Sequence, residues 1–296
     1  MSQQKEINGV VIEDTFAEAF PMAWARVIVT AENRHWLDAA CRAATGFATS
    51  VIGCKVEAGV ERYLDDAPDG RPGASLLFFT MGKKQLDEQL LNRIGQAIMT
   101  CPTTAAYNGA PSGDMMDIGA RLRYFGDGFQ MSKVVDGRRY WRIPVMEGEF
   151  VVEENFGRRE GVGGGNFLIL AETQDAALEA ARAAVEAIEP MDGVILPFPG
   201  GVVRSGSKVG SRYKFLKAST NTSYCPTIRR QTQSALIEGV NSVTEVVIDG
   251  VDEASVAAAM KAGISAACEK GGIKMISAGN YGGNLGPFHL KLHLII

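Results

Sequence analysis

Apolar residues recur along this chain in two rhythms, a strand-like alternation and a helix-like three-to-four spacing. The order of the rhythms is the same in each half. In the first half, residues 25–30 (ARVIVT) read as a strand, followed by a helix through Trp36, Ala40, Ala43 and Ala44 that stops at Gly46. A β-branched run at Ser50-Val51-Ile52 predicts a second strand and residues 75–80 (SLLFFT) a third, before a helix through Leu86, Leu90, Ile94 and Ile98. The second half repeats the series. Residues 166–170 form a strand, Thr173 caps a helix through Leu178, Ala181, Val185 and Ile188, and strands follow at 193–196 and 243–248. Asp252 caps a helix through Val256, Met260 and Ile264, and residues 273–276 close the unit.

A βαββαβ order gives an antiparallel sheet with both helices on one face, the ferredoxin-like arrangement; the term describes topology, since no cluster ligands are present. The predicted fold class is therefore α+β: two ferredoxin-like lobes from an internal duplication, 1–148 and 149–296, with an additional β-rich segment at about 121–154. That segment looks all-β, and Asp136-Gly137 within it is a strong hairpin signal. The join is expected near Gly148, with the glycine run at 161–165 as the other candidate. Residues 288–296 alternate as a strand, and so apolar a stretch should be buried in the sheet or against another subunit.

Composition narrows the function classes. The chain has 296 residues and a net charge of −4, which argues against a general nucleic-acid binder. The opening residues, Met1-Ser2-Gln3-Gln4-Lys5-Glu6, are polar and unlike a signal peptide, and no apolar run is long enough to span a bilayer. Five scattered cysteines without a Cys-x-x-Cys pair fit a reducing cytoplasm better than a disulfide framework or a metal site.

Against that acidic background, residues 193–237 contain no acid at all, yet carry Arg204, Lys208, Arg212, Lys214, Lys217, Arg229 and Arg230 among glycines and hydroxyl residues. Flexible backbone and cations together suit carboxylate or phosphate groups on a ligand, although solvated surface lysines give a plainer account of any single one. Soon after comes Glu245, on the strand face of Val243 and Val247. A carboxylate among apolar neighbours has a raised pKa and can exchange a proton near neutrality; the plainer alternative is a gatekeeper charge on an edge strand. Other motifs read as structure. His289 and His293 on a strand would stand about 13 Å apart, too far to share a metal ion. The glycine stretches fit neither a P-loop nor a dinucleotide fingerprint. Cys101 and Cys225, each in a Cys-Pro-Thr tripeptide, have no nearby histidine to form a thiolate.

Several segments together resemble the formylmethanofuran:tetrahydromethanopterin formyltransferase family: 6–21 (EINGVVIEDTFAEAFP), 44–52 (ATGFATSVI), 69–73 (DGRPG), 89–96 (QLLNRIGQ), 101–105 (CPTTA), 196–201 (LPFPGG) and 280–286 (NYGGNLG). The resemblance covers essentially the full length. It implies a cytoplasmic one-carbon enzyme that moves a formyl group between the amine of methanofuran and N5 of tetrahydromethanopterin. These carriers would act as co-substrates, with no metal or prosthetic group. It also implies a homodimer or homotetramer with the active site at a subunit interface, and it places the acid–base carboxylate on Glu245. Arg204, Lys208, Arg212 and Arg229 become candidates for holding the carriers' anionic tails. Asn280 and Tyr281 become candidate substrate-binding residues, with the Asn280 amide or backbone N–H groups near Gly200-Gly201 or Gly282-Gly283 as oxyanion donors. The modest charge resembles the version from methylotrophic bacteria, which works in a complex with a hydrolase. Two readings from other classes stay open: a duplicated ligand-sensing module without chemistry, and a structural subunit of a formyl-processing complex.

Overall fold

The computed structural model describes residues 5–296; the polar opening read at Met1 to Gln4 lies outside the described residues. The protein is a mixed α/β protein whose strands pair both antiparallel and parallel. It divides into two compact units, one formed by Met1–Pro21 with Val162–Ile296, the other by Met22–Gly161.

In the Met22–Gly161 unit the first strand is the part of Phe16–Thr30 beyond Pro21. It pairs antiparallel with Gly73–Thr80 on one side and Ala105–Asn108 on the other, and Gly73–Thr80 pairs in turn with Glu57–Leu64. The strands thus lie in the order fourth, first, third, second. Helices Arg34–Thr45 and Lys83–Arg93 bury Leu37, Ala40, Ala44, Leu86 and Leu90 with Val27, Val29, Leu76 and Phe78. Ala105–Asn108 also pairs parallel with Gly148–Glu153, which carries the hairpin of Arg138–Val145 and Met131–Val135. Its turn residues Asp136 and Gly137 both have positive φ, 50° and 77°, as the Asp-Gly pair predicted.

The other unit has the same order. The part of Phe156–Ala171 beyond Gly161 pairs antiparallel with Ser242–Gly250 and with Ile273–Ser277, and Ser242–Gly250 pairs with Val194–Ile195. Val10–Ile12 extends this sheet beside Ile273–Ser277. Helices Gln174–Ile188 and Glu253–Ala267 are capped by Thr173 and Asp252 and bury small side chains (Ala177, Ala180, Ala184, Ala259) with Val256, Met260 and Ile264.

The two orders also agree in register at corresponding positions. Ile28 pairs with Ser75 as Leu168 pairs with Glu245. The cap of the next helix follows at the same offset, 28 to 33 and 168 to 173, then 75 to 82 and 245 to 252. Where one unit places Glu245, the other places Ser75, whose hydroxyl donates to Glu61 (2.6 Å); Glu61 is also paired with Arg26.

Three expectations are corrected. Residues 50–52 are no strand: the Ser50 side chain accepts the Ile52 N–H (3.3 Å) and caps a helical turn, Val51–Cys54, closed by Lys55 at φ 66°. A two-residue β-branched run is too short to outweigh a cap. The 121–154 segment is not all β, since the helix Ile118–Leu122 and a 3₁₀ turn, Arg123–Gly126, open it. Residues 288–296 hold only a four-residue strand, Phe288–Lys291, paired with Phe16–Ala19, before a helical turn, Leu292–Ile295. Leu290 and Leu292 are both buried within their own unit.

Candidate active site

Glu245 stands on the sheet face that turns away from the two helices: its neighbours Thr244, Val246 and Ile248 face them, Thr244 donating to the Ala177 carbonyl. An isolated β-bridge places Val203 directly opposite, with both N–H···O bonds formed (2.8 and 3.0 Å). Residues opposed in this way project to the same side. Val203 on one flank, Leu168 on the other, and Val243 and Val247 along the strand therefore surround the carboxylate. These groups take away much of its water and offer no compensating charge, and burial pushes its pKa up from 4.5 to about 7.

The 280–286 loop reaches the same region. The charges of Glu245 and Glu18 add to burial in raising the Tyr281 phenol. The Tyr281 hydroxyl donates to the Ser207 carbonyl (2.9 Å), so it joins this loop to the cation-bearing segment. Asn280 is turned inward, its amide donating to Thr15 Oγ1 (3.0 Å) and the Phe16 carbonyl (3.2 Å).

The four candidate cations separate. Arg204, next to the Val203 bridge, and Arg212 are exposed, and neither has a hydrogen-bond or ion-pair partner among the described residues. Lys208 bonds Thr222 Oγ1 (3.0 Å). Arg229 is committed to its own segment: it donates to the Pro226 carbonyl (3.2 Å), the Val240 carbonyl and Asn241 Oδ1 (3.1 Å). Three of the backbone groups considered as oxyanion donors are also engaged: Gly201 N–H bonds the Phe198 carbonyl, Gly282 N–H bonds Asn280 Oδ1, and Gly283 N–H bonds Glu18.

Family models divide the chain between them. The model described as formylmethanofuran-tetrahydromethanopterin formyltransferase matches residues 5–145, and the model of that family's proximal lobe matches 148–295. The chain belongs to the formylmethanofuran–tetrahydromethanopterin formyltransferase family. It is accordingly a transferase. Curated members of the formyltransferase family from Methylobacillus flagellatus and Methanosarcina acetivorans are 57% and 53% identical, over 98% and 97% of this chain and 99% of each relative. The formyltransferase of Methanosarcina barkeri has a solved structure with TM-score 0.94 at 50% identity, covering 99% of this chain and all of that one. A chain of the formyltransferase/hydrolase complex (FhcABCD) from Methylorubrum extorquens, solved with methylofuran, gives TM-score 0.96 at 47% identity over 99% of both chains.

Within this formyltransferase-family chain the structure adds residues that sequence reasoning passed over. Ser277 pairs with Leu168 across from Glu245, two strands or about 10 Å away on the same face. Its hydroxyl donates to Glu13 and contacts the Tyr224 hydroxyl (3.1 Å). Glu18, 2% exposed, accepts four backbone N–H groups from the 280–286 loop. The available signal was a carboxylate in an apolar alternation, Phe16-Ala17-Glu18-Ala19-Phe20, the same pattern that singled out Glu245. Both histidines answer to backbone, His289 to the Gly286 carbonyl (3.2 Å) and His293 to that of Ile12 (2.8 Å). No group of three or more metal-ligating side chains occurs among the described residues.

Proposed function

We propose that the chain transfers the formyl group directly between methanofuran and N5 of tetrahydromethanopterin in a ternary complex, with Glu245 as the acid–base group. The exchange of a formyl group between these two carriers comes with the family; the roles of individual residues are our assignment. The attacking amine adds to the formyl carbon, forming a C–N bond and a tetrahedral oxyanion. Glu245 takes the proton released by the attacking nitrogen. Collapse of the intermediate breaks the bond to the donor nitrogen, which recovers that proton from Glu245. The observation that carries this reading is the apolar surround of Glu245, which brings its pKa to about 7, where a carboxyl can both accept and return a proton. Arg204, Lys208 and Arg212 suit the carboxylate and phosphate groups of the carriers. Arg229 acts on them indirectly, by holding the segment that presents the others. Tyr281 sits against substrate beside Glu245, and holding both carriers in line supplies much of the rate.

We infer further that the two units descend from one duplicated ferredoxin-like βαββαβ lobe, supported by the identical strand order and matched registers. Their division near residue 148 is supported by the meeting point of the family models, 145 and 148. The compact units differ from that division by taking Met1–Pro21 into the C-terminal unit. We also propose a cytoplasmic homo-oligomer, dimer or tetramer, that joins a hydrolase complex. Five free cysteines support the compartment, and the exposed Phe129, Met131, Val134 and Met146 support the assembly. The deciding experiment is a transfer assay with the isolated chain and both carriers. Formyl transfer is expected; its absence would favour a structural subunit of a formyl-processing complex.

A further inference from the structure

We propose that Glu18 is a positioning residue that fixes the 280–286 loop and thereby holds Tyr281 beside Glu245. The proposal rests on the reading of Glu245 as the transfer site. Both Glu18 oxygens are used: Oε2 accepts from Tyr281 N–H (2.6 Å) and Gly283 N–H (3.1 Å), and Oε1 from Leu285 N–H and Gly286 N–H (2.9 Å). Among the described residues no lysine or arginine pairs with it. The loop's peptide dipoles alone compensate this buried charge. Burial by itself would raise the Glu18 pKa, yet the four N–H groups hold it below the ordinary carboxylate value.

The loop's sequence suits a wrap around a carboxylate. Gly282 and Gly283 have φ of 69° and 77°. A Cβ at Gly286 would come 2.1 Å from the Ala19 carbonyl oxygen, so the chain approaches the Glu18 strand as closely as it can. The root of the loop is tied separately: Asn166 Oδ1 accepts Gly279 N–H (2.6 Å), and Glu18 N–H donates to the Gly279 carbonyl (3.1 Å). The carboxylate is therefore not required to close the strand. It orders the stretch beyond the strand, from which the Tyr281 hydroxyl reaches the Ser207 carbonyl, four residues along from the Val203 bridge to Glu245, and feels the Glu245 charge. A neutral glutamine would turn an N–H₂ group toward two of the four donors, leaving them without an acceptor.

Two measurements on the full chain in its native assembly test this. Residues 280–287 belong to no strand or helix, yet hydrogen exchange of wild-type protein should show them strongly protected. In Glu18→Gln, exchange should accelerate there by about 10–100-fold, without comparable change in the helices. The second measurement is a double-mutant cycle on kcat with Tyr281→Phe. Glu18→Gln should cost about 10-fold or more when Tyr281 is present and little when it is Phe. Additive losses would overturn the proposal, because Glu18 would then act on stability alone. Exchange of wild-type 280–287 at the rate of an open loop would overturn it even if the glutamine variant did not fold. The two readings fail separately, since Glu245→Gln should leave exchange at 280–287 unchanged whatever it does to transfer.

Discussion

Replacing Glu245 by glutamine removes a proton site and keeps the shape, and its effect on stability can be worked out as well as its effect on rate. Burial lifts the carboxyl from 4.5 to about 7. A rise of about 2.5 pH units corresponds to about 3 kcal/mol at 1.36 kcal/mol per unit, and the solvent that reaches this partly buried group lowers that to about 2–3 kcal/mol. The sign follows from linkage. Between 4.5 and about 7 the folded protein holds a proton that the unfolded chain has lost, so this group's contribution to stability is full below 4.5 and is lost as pH rises to about 7. Above that it is constant. Glutamine has no such dependence. Wild type and variant should therefore diverge through this window, the variant gaining about 2–3 kcal/mol relative to wild type by pH 8. Denaturant unfolding of both proteins at fixed concentration across pH 4.5–8.5 reads this directly. In the same preparations kcat should fall by about 10²–10⁴-fold, and the wild-type pH limb near 7 should disappear. Parallel stability curves would refute the desolvation argument. A near-normal kcat would refute the proton-transfer role independently.

Neutralising Arg204 or Arg212 should raise KM for a carrier several-fold with kcat nearly unchanged, because tail binding is uniform between ground and transition states; an unchanged KM in both removes them from the carrier site. Arg229→Ala should instead lower unfolding free energy by about 1–3 kcal/mol, since its guanidinium satisfies carbonyls at Pro226 and Val240; a pure KM effect would contradict that role. Exhaustive dialysis against a chelator should leave transfer intact, and loss of activity restored by a divalent metal would overturn the metal-free chemistry proposed for Glu245. Light scattering at micromolar concentration should give a mass at least twice the 31.7 kDa of one chain, and a monomer would refute the assembly.

Both helices of each unit, the caps Thr173 and Asp252 and the hairpin at 136–137 were legible because each depends on contacts within a few residues. Residues 50–52 misled because a short β-branched run carries the same letters as a capped helical turn. Residues 288–296 misled because alternation persists past Lys291 while the backbone, answering to Lys5 and Thr15, turns into a helix. At the site, the apolar setting of Glu245 was readable from its own strand. The bridge to Val203 and the row Glu245–Leu168–Ser277 were not, because they depend on pairing between segments far apart in sequence. The acid-free stretch announced cations but could not show that Arg229 spends its donors on backbone.

The sharing of Met1–Pro21 with the C-terminal unit has a consequence for biosynthesis. Phe16 and Phe288, the ends of the pairing between Phe16–Ala19 and Phe288–Lys291, are separated by 272 residues (288 − 16). At about 5–20 residues per second on a ribosome, the early segment waits roughly 14–54 s for its partner. Through that interval Val10, Ile12 and Ala17 have no finished core to enter, while the whole of the Met22–Gly161 unit is being made. The Met22–Gly161 unit thus has all its strands before the other unit does. Glu18 meets its four amides only after residues 281–286 have been made.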